Sequence, residues 1–202
     1  MKKIVTIAFL GVFISGCASA KLSRGPDTFS LIEHTNSLRV GVPKAHDERG
    51  TNRAGTIGAA FIQVKSELVD LTTNYLIHYL NTKLDLNVER IPMTGAKDRV
   101  STPSPHNMDR VLILRIKRLK MFSMDALMQP VEVDLDLECE VYDSDDHLVY
   151  RQTIMGHHEK RIGISIVDKT TGKLVEAAVL DAMNNLVKDP GLKKSLVPAK
   201  TF

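Results

Sequence analysis

The chain has 202 residues, 27 basic and 24 acidic, with a formal net charge of +3, 43% hydrophobic residues and two cysteines. That length supports one domain with a single core and leaves little room for a second. The near balance of charge gives no electrostatic reason to expect a nucleic-acid partner.

Lys2 and Lys3 begin the chain, and Ile4 to Ile14 follow as an apolar run broken by Thr6 and Gly11. With the small residues Ser15 and Gly16 behind it, this pattern predicts a cleaved secretory signal over residues 1–16. The run is about half of the ~20 residues a membrane-spanning helix needs. Ile14-Ser15-Gly16-Cys17 then resembles the bacterial lipobox. The resemblance implies an S-diacylglyceryl group on Cys17, cleavage before it, and acylation of the new amine. Two or more acyl chains hold a protein stably on a membrane, whereas one does so marginally. Ala18 and Ser19 follow the cysteine where an aspartate would imply inner-membrane retention, so the resemblance implies the cell outer membrane, on its periplasmic face. Once Lys2 and Lys3 leave with the signal, 25 basic residues face 24 acidic ones. Lipidation of Cys17 leaves Cys139 without a partner, and it is expected to be a buried free thiol.

Residues 17–37 read as a lipidated N-terminus and flexible tether, polar and carrying Gly25-Pro26, with Leu31-Ile32 as an alternative edge strand. The periplasmic domain is placed at 38–190. Leu38 to Val42 alternates and stops at Pro43, a short strand. HDERGTNRAGTIG, residues 46–58, reads as a glycine-bearing loop; Asp47, Arg49 and Arg53 make it a candidate docking loop. Val64, Leu68, Leu71, Tyr75, Leu76, Tyr79 and Leu80 recur at helical spacing and predict a helix over 61–84. Leu86 to Ile91 is a second strand, halted by Pro92 and followed by a loop with Gly95, Pro103 and Pro105. Residues 110–122 form a β-branched and aliphatic run. Val131 to Val141 alternates without error, which puts Val131, Val133, Leu135, Leu137, Cys139 and Val141 on a dry face. After a turn at 142–147, Leu148 to Met155 returns as a hairpin partner. A second amphipathic helix spans 174–187 and stops at Asp189-Pro190-Gly191, leaving 191–202 as a tail. The fold expected is α+β: a single domain with an antiparallel-rich sheet in β-α-β-β-β-β-α order and two amphipathic helices packed on one face.

Chemistry is sparse. The loop before the first helix lacks the Lys-Ser or Lys-Thr of a phosphate cradle, and no G-x-S-x-G occurs. His157 and His158 are neighbours on a strand and so point to opposite faces, which argues against a shared metal. The acidic row Glu132, Asp134, Asp136, Glu138 and Glu140 is spaced too widely for a compact cation site, and Arg115 and Lys117 stand ready to pair with it. No catalytic residue, cofactor or metal is expected.

The first strand with DERGTNRAGTIG, the long helix, the meander and the closing LDAMNNLVKDPGLKKSL together resemble the YajG-type family of bacterial lipoproteins. Asp47-Glu48-Arg49 and Asp189-Pro190-Gly191-Leu192 occupy that family's D-x-R and terminal-helix positions. The resemblance implies an outer-membrane lipoprotein with no catalytic residues. The function expected is therefore a non-enzymatic accessory or scaffold module of a cell-envelope complex, with a membrane held through Cys17 and a protein partner. The alternative is an auxiliary carrier of a hydrophobic ligand or lipid.

Overall fold

A computed structural model describes residues 17–26, 38–57, 60–64, 66–92, 108–123, 130–161 and 167–196. The signal at 1–16, the Leu31-Ile32 strand, the breaker loop beyond Pro92 and the end of the tail lie outside these residues.

The domain is a mixed α/β structure built on one nine-stranded sheet. Its spine is β7 (Arg110–Ser123), paired along its whole length with β8 (Val131–Asp143), which in turn pairs with β9 (Leu148–Lys160), all antiparallel. The alternation of β8 is realised as read. Val131, Val133, Leu135, Leu137, Cys139 and Val141 are buried, and the acidic residues face the other way. Tyr142 to His147 make the tight connection to β9, which runs five residues past the expected end at Met155.

The other edge of β7 corrects the sequence reading of residues 46–58 as a loop. Three short strands lie along it in succession, all parallel to it: β2 (Arg39–Pro43), β3 (His46–Asp47) and β4 (Arg53–Ile57). β2 is the strand expected at Leu38 to Val42; polar composition hid β3 and β4, because each borrows its partner from a long strand far away in sequence. β5 (Ala60–Gln63) folds back on β4, and β1 (Cys17–Ser19) adds in parallel outside β5. At the opposite side β6 (Asn87–Ile91) pairs in parallel with β2.

The first helix, α1, spans Glu67–Leu84, so Phe61 to Gln63 belong to a strand and not to its first turn. Ala60-Phe61-Ile62-Gln63 alternates with Ile62 buried, and its pairing with β4 overrides the helical spacing of Val64 with Leu68. Leu68, Leu71, Leu76 and Leu80 form the buried stripe as expected. Asp85 ends the helix in a left-handed conformation, φ 53°. The second helix, α2 (Val167–Lys188), starts earlier than read and lies across β8 and β9. Its seat is tight: a Cβ on Gly156 would fall 2.1 Å from the Ala178 carbonyl oxygen. Both helices bury their apolar faces in one core with the inner face of the sheet.

The tail reading is also corrected at its start. Asp189 accepts the N–H groups of Gly191 and Leu192 at 2.6 and 3.0 Å and so caps α3 (Pro190–Ser195), whose Leu192 is fully buried, as is Leu196 behind it.

Candidate functional site

Cys17 opens β1, and the residues after it are fastened to the body. Cys17, Ala18 and Ser19 stand opposite Phe61, Ile62 and Gln63. The Ala20 N–H continues the pairing to the Gln63 carbonyl at 3.0 Å, and Ala20 is buried. The Ser23 hydroxyl donates to Glu176 on α2 at 3.0 Å, and Asn74 on α1 donates to the Arg24 carbonyl at 2.7 Å. α2 presses on this segment so closely that a Cβ at Gly172 would lie 1.9 Å from the Lys21 carbonyl oxygen. The free tether read for residues 17–37 is therefore not free over 17–26. The segment gave no periodic signal, but strand pairing, hydrogen bonds with both helices and the packing of Ala20 and Leu22 on the core hold it without one.

The candidate docking loop divides. Asp47 and Arg49 are consumed by each other: Arg49 Nε and Nη2 donate to the two Asp47 carboxylate oxygens at 2.8 and 2.7 Å, and Nη2 reaches the Val64 carbonyl at 3.1 Å. The Arg49 side chain is buried, and its hydrogen bonds hold the Asp47 carboxyl below the usual carboxylate range. This pair clamps β3 to the link that leads into α1. Arg53 alone of the three is left facing solvent, where its guanidinium carbon stacks 4.0 Å above the centre of the Phe61 ring.

The outer face of the meander is laced with charge, as the matched acidic and basic alternation implied. Glu48 receives Lys117 at 2.6 Å and Arg115 at 2.8 Å, and these hydrogen bonds hold its carboxyl down at about 2. Arg115 also reaches Glu140, which Arg151 and the Tyr142 hydroxyl bind from the other side. Glu140 is 1% exposed. Burial pushes its carboxyl up, and the bonds from Arg151 and Tyr142 with the nearby Arg115 outweigh that and hold it low. Every charge in this network has a partner of opposite sign, which is what a structural lattice requires and a reactive centre does not.

The histidines behave as alternation demands. His157 Nδ1 donates to the Asp134 carboxylate 2.8 Å away on the outer face, while His158 points to the inner side of the strand. Asp143, Asp145 and His147 bring possible ligand atoms within 4.8 Å of one another. The Asp143 carboxylate, however, already accepts the N–H groups of Asp145 and His147 at 3.0 and 2.9 Å and so closes the turn. Cys139 is free and fully buried, and burial pushes its thiol far above the ordinary range.

Two aromatic rings that the sequence reading passed over stand on the outer face. Phe61 and Phe122 are 37% and 43% exposed, and both are in register with Thr56 between them. Lys120 Nζ lies 6.0 Å from the centre of the Phe122 ring, as Arg53 lies over Phe61. Among the described residues no helix is long and apolar enough to cross a membrane.

No protein-family model matches the sequence, and no curated protein does. Solved structures align with most of the chain, each with a TM-score below 0.5. Protein XCC0632 from Xanthomonas campestris, of family DUF330, is 12% identical with a TM-score of 0.49, over 84% of this chain and 89% of that one. The PelC dodecamer from Paraburkholderia phytofirmans is 14% identical with a TM-score of 0.48, over 86% and 92%. Lipoprotein GNA1162 from Neisseria meningitidis is 10% identical with a TM-score of 0.42, over 73% and 99%. The structures this chain resembles thus include bacterial lipoproteins; at these identities neither a shared family nor a shared function follows.

Proposed function

We propose that this chain is a lipid-anchored lipoprotein of the cell outer membrane, of the YajG type, facing the periplasm and serving as a non-enzymatic accessory or scaffold module of an envelope complex. The observation that carries the reading is Ile14-Ser15-Gly16-Cys17 directly behind the apolar run of residues 4–14. Two further features support it. Glu48, Arg115, Glu140 and Arg151 on the outer face are spent on one another, and the thiol of Cys139 is sealed in the core. Cys17 itself begins a strand of the sheet, so an anchor there holds the folded body close to the bilayer instead of at the end of a long leash.

Cys17→Ser tests the anchor. The variant is expected to accumulate as a slower-migrating precursor that takes up no labelled palmitate; unchanged processing and labelling would refute the reading. For the accessory role, crosslinking in intact envelopes is expected to capture a defined protein partner. A co-purified lipid in its place would turn the function to ligand carriage.

A further inference from the structure

The row of residues running inward from Cys17 ends in an exposed pair of aromatic rings, each attended by a cation. Cys17 stands opposite Phe61, Phe61 opposite Thr56, and Thr56 opposite Phe122. Residues directly opposite one another share a face of a sheet, and adjacent strands are about 4.8 Å apart, so the two rings stand roughly 10 Å apart on one side. Phe122 lies about 15 Å from the backbone of Cys17 by the same spacing. Arg53 and Lys120 stack over these rings and have no ion-pair partner among the described residues, in contrast to Arg115, Lys117, Arg118 and Arg151 further along the same face. Beyond Phe122 the row turns acidic, with Glu132 opposite it and Glu159 beyond that. The patch is therefore bounded: apolar and basic toward Cys17, acidic away from it.

We propose that Phe61, Phe122, Arg53 and Lys120 form a membrane-docking face that lies on a bilayer carrying anionic headgroups. This rests on the reading that Cys17 carries the lipid anchor. Exposed phenylalanine rings leave water by entering the headgroup/acyl boundary, as the apolar face of an interfacial helix does. The two cations, without an ion-pair partner among the described residues, meet lipid phosphates, and each contributes about fivefold to binding an anionic surface. The acyl chains on Cys17 bring this end of the sheet to the bilayer, and the face then fixes how the domain leans. Glu132 and Glu159 keep the β8–β9 side turned away from the same anionic surface.

The chain contains no tryptophan, so Phe122→Trp introduces a single reporter into the full mature lipoprotein. The variant is reconstituted into vesicles of phosphatidylcholine with a quarter phosphatidylglycerol, with brominated acyl chains as quencher. Leu148→Trp is the control, since position 148 lies at the far end of the sheet, roughly 35 Å along the strand from Glu159. If the protein floats with the vesicles and the tryptophan at 122 is quenched and blue-shifted while that at 148 is not, the proposal stands. Arg53→Glu with Lys120→Glu is then expected to cut the quenching severalfold on anionic vesicles without lowering thermal stability. If the protein floats but position 122 is quenched no more than position 148, the docking face is overturned and the anchor remains. If the purified protein carries no acyl chains and does not float, the anchor reading fails and the docking face fails with it.

Discussion

Replacing Gly172 with alanine decides whether residues 17–26 are part of the folded body. Gly172 lies in the second turn of α2, where alanine is favoured over glycine by about 1 kcal/mol through backbone entropy alone. Its Cβ, however, would sit 1.9 Å from the Lys21 carbonyl oxygen and 2.9 Å from the carbonyl carbon, and contacts below 3.0 Å do not occur. The segment must withdraw by about 1 Å or more. That strains the Ala20 bond to Gln63 and the Ser23 bond to Glu176, both 3.0 Å long. A hydrogen bond contributes about 1 kcal/mol net, so losing two raises the opening equilibrium of this segment by about 30-fold. The helix meanwhile gains what alanine offers. The expected outcome is a split response: a global unfolding midpoint moved by only a few degrees, with trypsin cleavage after Lys21 and Arg24 about 30-fold faster. Cleavage tracks the open population while reclosing is fast. Equal cleavage rates in the two proteins would refute the docked segment, as would a loss of global stability with cleavage unchanged.

Glu140→Gln removes a buried charge from Arg115, Arg151 and Tyr142 at once. Breaking a buried pair costs 3–5 kcal/mol; Arg115 keeps Glu48, so about 2–3 kcal/mol is expected here, a fall of about 5–10 °C in midpoint by circular dichroism. Arg118→Ala, at the half-exposed pair with Asp136, is expected to change stability by less than about 0.5 kcal/mol. Acid should act through Glu48, whose carboxyl is held at about 2 against an ordinary 4.5. A depressed carboxylate adds stability that is fully present above pH 4.5 and is lost as the pH falls toward 2. Thermal scans across that window are expected to show a decline, and Glu48→Gln to flatten it by an amount near 1 kcal/mol. An equally steep decline in the variant would assign acid sensitivity elsewhere.

What the sequence made legible follows from how local each signal is. The meander could be read because β8 writes its two faces in its own alternation, and its hairpin partners are neighbours in the chain. The stripe of α1 could be read for the same reason. Arg53-Ala54-Gly55-Thr56-Ile57 could not, because its strand character comes from β7, more than sixty residues away, which supplies the hydrogen bonds that its composition would not predict. Residues 17–26 failed for a similar cause: their order is imposed by β5, α1 and α2 rather than by any pattern of their own. The ion pairs of the outer face were anticipated in kind at Arg115 and Lys117, but not the closing of Asp47 on Arg49, which depends on the bend between β3 and β4.

The outward position of Phe122 has its origin in a slip within β7. Ile116 stands opposite Leu137 and Arg118 opposite Asp136, so Lys117 is an extra residue, a bulge. Before it, Leu112, Leu114 and Ile116 face the core; after it, Leu119, Met121 and Ser123 do. A strand without the slip would carry Leu119 and Met121 into water and press Lys120 and Phe122 into the helix-covered side. Two adjacent polar residues, Lys117 and Arg118, between apolar Ile116 and Leu119 are the mark of that change of phase, and both side chains stay outside to meet Glu48 at 2.6 Å and Asp136 at 2.8 Å. Phe122 is thus no apolar residue left over for want of room. The inward sites at this end of β7 are taken by Leu119 and Met121, and the bulge that seats them also sets Phe122 outward, in register through Thr56 with Phe61 and, one strand further, with Cys17.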